Sequence, residues 1–121
     1  MPSLNEITVQ QLCRLIGLPD APWVVDVREM PASRPPPRTL PTARTLALGD
    51  IERWGAAYRG KRVVVYCDDG GTLSRGAAAW LRDEGVEAET LAGGFSGWAE
   101  AHQPLVRTEH IPARDARGRT V

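Results

Sequence analysis

The stretch from Lys61 to Leu81 constrains the fold more than any other part of the sequence. Val63 to Tyr66 is a continuous apolar, mostly β-branched run, the pattern of a central parallel strand covered on both faces. Cys67 follows it directly, then Asp68, Asp69 and the doublet Gly70-Gly71. Two adjacent glycines do not continue a strand, and they allow successive backbone N–H groups to turn toward one point. From about Thr72 the residues favour helix, with Ala77, Ala78, Ala79, Trp80 and Leu81 as formers or core fillers and Gly85 as the stop. A thiol is thereby placed at the carboxyl end of a strand, facing the first turn of a helix. An α/β sheet carries its chemistry at that edge.

The unpaired N–H groups at a helix start favour an anion. They bring a thiol from a pKa of about 8.5 toward ~3.5–7.5, so that thiolate is populated near neutrality. A thiolate cupped in backbone donors is a stabilised nucleophile. The bland alternative is an inert buried cysteine after a buried strand.

The rest of the chain alternates strand and helix. Glu6-Ile7 reads as a short edge strand. Thr8-Val9-Gln10-Gln11 is a capping-box pattern that opens a helix with Val9, Leu12, Cys13 and Ile16 on one face, ended by Gly17. Cys13 is then expected to be a small core residue. Trp23 to Arg28 is a second strong strand, with Asp26 and Arg28 at its carboxyl end beside the expected position of Cys67. These two either pair with each other, or brace the cysteine loop and tune its charge. Glu29 to Thr42, with five prolines, reads as an extended surface loop on the rim of the site. Its Arg34 and Arg38, with the following Arg44, give local positive potential. Thr45-Leu46-Ala47-Leu48 is expected to be a third strand, and Asp50 to cap a helix from Ile51 to about Tyr58. Glu87 to Leu91 alternates in polarity, as suits a sheet edge or a half-exposed strand. Gly93-Gly94-Phe95 turns into a final helix through Trp98 and Ala101. Trp80 and Trp98 are expected to pack in the core or at its rim. Beyond Leu105 the sequence is polar and basic, so residues 1–105 are read as the domain and 106–121 as a tail or linker.

Composition narrows the function classes. At 121 residues the chain makes one domain with a core that needs neither disulfide nor metal. Fifteen basic and fifteen acidic side chains cancel, which removes the electrostatic argument for nucleic acid or an anionic membrane surface. Two distant cysteines make no disulfide framework, and two late histidines make no zinc spacing. The first residues lack a basic region followed by an apolar run, and no apolar stretch approaches the ~20 residues of a membrane helix. A cytoplasmic location is the default expectation.

Four segments together resemble the rhodanese-like domain: Val24-Val25-Asp26-Val27-Arg28, Leu40-Pro41-Thr42-Ala43-Arg44, Val64-Val65-Tyr66-Cys67-Asp68-Asp69-Gly70, and Leu91-Ala92-Gly93-Gly94-Phe95-Ser96-Gly97-Trp98. The resemblance spans roughly Leu4 to Leu105. It implies a three-layer α/β fold, with a central parallel five-stranded sheet and helices on both faces. It also implies a single-domain sulfurtransferase without metal or organic cofactor. Cys67 would attack the outer sulfur of a small donor, thiosulfate or a persulfide, carry it as a cysteine persulfide, and pass it to a thiol or cyanide acceptor. The backbone N–H groups of Asp68, Asp69, Gly70, Gly71, Thr72 and Leu73 would hold that anion, supported by Asp26, Arg28, Ser74 and Arg75. Leu73-Ser74-Arg75-Gly76 and the tail from Ile111 also resemble the rhodanese module that begins certain bacterial chromate-resistance proteins. There the tail leads into a second domain, so an attached or partner domain after Val121 is expected.

The sequence departs from the family pattern in two ways. The loop is one residue longer than the common form, which widens or reshapes its cup. Asp68 and Asp69 place two carboxylates beside the thiol, where they would raise its pKa and repel anionic donors, less so if they face solvent. Arg75 has three readings: into the mouth of the loop, along the helix as a surface charge, or paired with Asp68 or Asp69. Two other functions are alternatives. One is a regulatory module sensing redox state or an oxyanion. The other is a cysteine phosphatase or arsenate reductase, which needs an arginine where this chain has Leu73 and keeps a histidine where it has Tyr66.

Overall fold

The computed structural model describes residues 5–28, 38–69 and 71–107. Its frame is a five-stranded parallel sheet of β1 (Glu6–Ile7), β2 (Trp23–Asp26), β4 (Arg44–Thr45), β5 (Arg62–Tyr66) and β6 (Glu87–Leu91), in the order β1-β6-β5-β2-β4. Helices cover both faces, as expected for this three-layer α/β fold. Among the described residues no helix is long and apolar enough to cross a membrane.

The strand at the centre, β5, explains the layering. Side chains alternate across a strand, so Val63, Val65 and Cys67 enter one core with Val25, Val27, Ala77, Ala78 and Leu81. Helices α2 (Ile51–Gly55) and α3 (Thr72–Asp83) close that face. Val64 and Tyr66 enter the other core with Ile7, Leu12, Leu40, Leu91 and Trp98, under α1 (Val9–Leu15) and α4 (Gly94–Glu100). A continuous apolar run is thus needed at β5, and both faces use it.

Local signals act as their chemistry requires. Thr8 Oγ1 accepts the Gln11 N–H at 3.1 Å and Gln11 Oε1 accepts the Thr8 N–H at 2.8 Å, a complete capping box. Gly85, at φ +89°, takes the left-handed conformation that ends α3.

Several expectations are corrected. Cys13 is exposed, not core: α1 turns Val9 and Leu12 inward, and the Cys13 thiol instead donates to Gln103 Oε1 at 2.9 Å. The third strand comes earlier than expected, at Arg44–Thr45, and Leu48–Asp50 forms a 3₁₀ turn that runs straight into α2. Asp50 therefore lacks the extended backbone of a cap and makes no side-chain capping bond. The helix from Ile51 is α only to Gly55, then 3₁₀ to Tyr58. β6 lies between β1 and β5 and not at an edge, so of its two expectations the half-exposed strand holds, with Glu87 exposed and Glu89 half-buried between buried Ala88 and Thr90. Arg38–Thr39, expected in a loop, is strand β3, and it pairs antiparallel with β7 (Val106–Arg107), expected in the tail. The polyproline run, Arg34, Gly70 and residues 108–121 lie outside the described residues.

Candidate active site around Cys67

Cys67 follows β5 at the carboxyl edge of the sheet, with 4% of its surface exposed. Its thiol donates to the hydroxyl of fully buried Ser74 at 3.3 Å, and that hydroxyl donates to the Gly71 carbonyl at 3.3 Å. Burial raises the Cys67 pKa, but the Ser74 hydroxyl and the backbone N–H groups of Ser74, Asp69 and Gly71 outweigh it. The balance lies below the ordinary thiol value, so thiolate forms more readily than in an unstructured chain. When the proton leaves, the Ser74 O–H can rotate from the Gly71 carbonyl to the sulfur without moving a heavy atom.

The loop residues divide by role. Thr72 and Leu73 form the first turn of α3, and the Leu73 side chain packs on the core. Asp68 and Asp69 are exposed. Asp69 Oδ1 accepts the Gly71 N–H at 3.0 Å, so that donor is shared between a carboxylate and the thiol. Arg75 is exposed and lines a surface cleft with Asn5, Glu6, Arg82 and Thr90, which fits a surface charge along α3.

Asp26 and Arg28 pair with each other, the first of the two readings made of them. Asp26 is fully buried and accepts from Arg28 Nε at 3.1 and 3.0 Å, from Arg28 Nη2 at 2.7 Å and from the Tyr66 hydroxyl at 3.0 Å. That hydroxyl accepts the Leu40 N–H at 3.2 Å, and Arg28 Nη2 also donates to the Arg38 carbonyl at 2.6 Å. Burial alone would lower the Arg28 pKa, but Asp26 outweighs it and keeps the guanidinium firmly protonated. Burial and the Asp26 carboxylate push the Tyr66 phenol far above its usual pKa, so it stays a donor. The pair also reaches the cysteine loop: the Arg28 guanidinium lies 4.2 Å from the Phe95 ring centroid. The Phe95 N–H donates to the Cys67 carbonyl at 2.8 Å, and the Ser96 N–H donates to the Asp68 carbonyl at 2.8 Å.

The roles of Tyr66, Phe95 and Ser96 were not foreseen from the sequence. The doublet Gly93-Gly94 before a helical run was the available signal. Both take positive φ, +79° and +58°, and turn the chain abruptly into α4. Among the described residues there is no cluster of His, Cys, Asp and Glu that could hold a metal ion.

The family model for the Rhodanese-like domain matches residues 8–101. No curated protein matches the sequence. A crystal structure of a protein from Lactobacillus plantarum is similar at 30% identity, over 84% of this chain and 87% of that one, with a TM-score of 0.70. A protein from Rhodopseudomonas palustris, described as a possible tyrosine phosphatase, is similar at 25% identity over 86% of each chain, TM-score 0.71. Thiosulfate sulfurtransferase from Pseudomonas aeruginosa is similar at 26% identity over 91% of this chain and 21% of that longer one, TM-score 0.71.

Proposed function

The chain belongs to the rhodanese-like domain family, and on that premise we propose that it is a sulfurtransferase with Cys67 as its sulfur carrier. The observation that carries the proposal is the Cys67 thiol buried at the carboxyl edge of β5, 3.3 Å from the fully buried Ser74 hydroxyl at the start of α3, with its pKa held below the ordinary thiol value. The Cys67 thiolate attacks the outer sulfur of a donor. With thiosulfate, the new bond joins Cys67 sulfur to that atom, the donor S–S bond breaks, and sulfite leaves with the bonding electrons. The resulting persulfide anion is held by the hydrogen-bond donors that lower the thiol pKa. An acceptor such as cyanide or a thiolate then attacks its terminal sulfur, and Cys67 leaves as thiolate. Each displacement breaks one S–S bond and forms one new bond to the transferred sulfur, S–S with a thiolate or S–C with cyanide, and no metal or organic cofactor takes part.

The two carboxylates bear on the choice of donor. Asp69 occupies part of the Gly71 N–H, and Asp68 adds a second negative charge at the mouth. Both oppose a dianionic donor, though their exposure admits screening by salt. Thiosulfate is accordingly a poor donor, and a protein or small-molecule persulfide a better one.

The description of the Rhodopseudomonas protein favours a second reading, phosphate ester hydrolysis. Against it stands Leu73 in the position where such loops need an arginine fork, with its side chain packed on the core. Thiocyanate release from persulfide and cyanide, set beside release of p-nitrophenol from its phosphate ester, separates the two. Sulfur transfer without phosphatase activity is expected, and the converse would reverse the assignment.

A further inference from the structure

The reactive thiol and the Asp26–Arg28 pair lie on opposite faces of the sheet, because Cys67 and Tyr66 are consecutive along one strand. The first turn of α4 connects them. Phe95 and Ser96 belong to the helix start, where N–H groups have no intrahelical partner, and both donate across to the cysteine loop.

The direction of those bonds matters. Peptide groups are planar and trans, so a carbonyl and the N–H of the next residue point in opposite directions. The Ser96 N–H holds the Asp68 carbonyl toward α4, and the N–H of the same peptide group belongs to Asp69. That N–H must then point away from α4, and it is one of the donors that bear on the Cys67 sulfur. The Phe95 N–H orients the peptide between Cys67 and Asp68 in the same manner, at 2.8 Å.

Position of the α4 turn depends in part on Arg28. Its guanidinium lies 4.2 Å from the Phe95 ring centroid and 5.8 Å from that of Tyr66. It is fixed by two Asp26 oxygens and the Arg38 carbonyl, with side-chain exposure of 6%. A guanidinium fixed on one side and stacked on an aromatic face on the other is a clamp.

We infer that Arg28 and Phe95 are positioning residues, a clamp that aims the Asp69 N–H at the Cys67 sulfur by fixing the α4 turn against the Asp68 carbonyl. It rests on the reading of Cys67 as the reacting thiol. The charged groups near that thiol are the Asp68 and Asp69 carboxylates of its own loop and Arg28 across the sheet, which also feels Asp68. Loosening the clamp lets the peptide groups rotate, and the thiolate loses a donor while those charges stay in place.

The test uses the chain with Cys13→Ser, so that Cys67 is the lone thiol. Its titration is read from the pH dependence of iodoacetamide alkylation, with melting temperature measured beside it. Phe95→Leu removes the stacked ring and keeps an apolar side chain, while Arg28→Lys keeps the charge and loses the planar fork. Each is expected to raise the Cys67 midpoint by roughly half to one pH unit, which is about three- to tenfold less thiolate below the midpoint. Phe95→Tyr should restore the parent profile. Leu12→Ala, in the same core but outside the clamp, should lower the melting temperature and leave the midpoint unchanged. If Phe95→Leu does not fold, Arg28→Lys alone decides. Unchanged midpoints in the folded variants, or an equal shift with Leu12→Ala, overturn the clamp. A parent chain that forms no persulfide while its variants shift the midpoint sinks sulfur transfer and leaves the clamp standing.

Discussion

Replacing Ser74 with alanine isolates one contribution to the reactivity of Cys67. The hydroxyl is fully buried, 3.3 Å from the sulfur and 3.3 Å from the Gly71 carbonyl. A hydrogen bond to a charged group contributes about 1.5–3 kcal/mol, and one between neutral groups about 0.5–1.5 kcal/mol. Ser74 interacts with both forms of the sulfur, so the variant loses only their difference, roughly 1–1.5 kcal/mol. At 1.36 kcal/mol per pKa unit, the Cys67 midpoint should rise by about one unit. Alkylation of Ser74→Ala in the Cys13→Ser background should then be about tenfold slower than its parent at pH below both midpoints, and equal to it well above them. Stability changes little, because the Gly71 carbonyl still accepts the Arg75 N–H at 3.3 Å and alanine adds about half a kcal/mol of helix propensity. Stability should also respond to pH in a defined direction. A thiol whose pKa is depressed by folding stabilises the fold progressively as pH rises from the folded midpoint toward the unfolded one, and that gain is lost as pH falls through the folded midpoint. Ser74→Ala should flatten this rise in urea denaturation. An alkylation midpoint unmoved by the substitution would refute the assignment of Ser74 as a thiolate donor.

Three further predictions bear on other parts of the molecule. Arg28→Ala leaves Asp26 buried without its cation and should cost about 3 kcal/mol in urea denaturation, the low end for a broken buried pair, because the Tyr66 hydroxyl and the backbone N–H of residue 28 still bond the carboxylate; a loss below ~1 kcal/mol would mean the site readily admits water. Gly55→Ala puts a Cβ 2.9 Å from Trp80 Cζ3 and 3.0 Å from Leu81 Cδ2, so overpacking of about 1–3 kcal/mol should exceed the ~1 kcal/mol gained in helix propensity, and the melting temperature should fall. Asp69→Ala frees the Gly71 N–H and removes a negative charge, so thiosulfate-dependent thiocyanate formation should rise several-fold at low salt and less at high salt; a clear fall would contradict the repulsive role of that carboxylate.

What the sequence made legible was local. Val63 to Tyr66 carries enough apolar β-branched surface to be buried on both faces, so the strand, the cysteine after it and the helix beyond two glycines could be placed without tertiary information. The capping box at Thr8 is equally local, and both of its bonds form. The failures share one cause, which is dependence on what packs nearby. β3 and β7 are two residues each and gain strand geometry only by meeting each other from distant parts of the chain. Cys13 is the fifth residue of a seven-residue helix, too short for its period alone to decide which side is covered. The alternation in β6 suits an edge or a half-exposed strand alike, and only its neighbours β1 and β5 decide between them. At the site, Cys67, Ser74 and the Asp26–Arg28 pair could be singled out from their own neighbourhoods. The α4 tether could not, because Phe95 and Ser96 act through backbone groups, which carry no residue-specific signal beyond the glycines that turn the chain toward them.

Intact mass spectrometry of the reduced chain after incubation with thiosulfate, and separately with glutathione persulfide, tests sulfur transfer most directly. The Cys13→Ser chain is compared with the same chain carrying Cys67→Ala. The expected result is a gain of one sulfur atom on the former, greater with the persulfide donor, absent in the Cys67→Ala chain and removed by cyanide as thiocyanate. No adduct from either donor, or an adduct that persists in Cys67→Ala, would contradict Cys67 as the sulfur carrier.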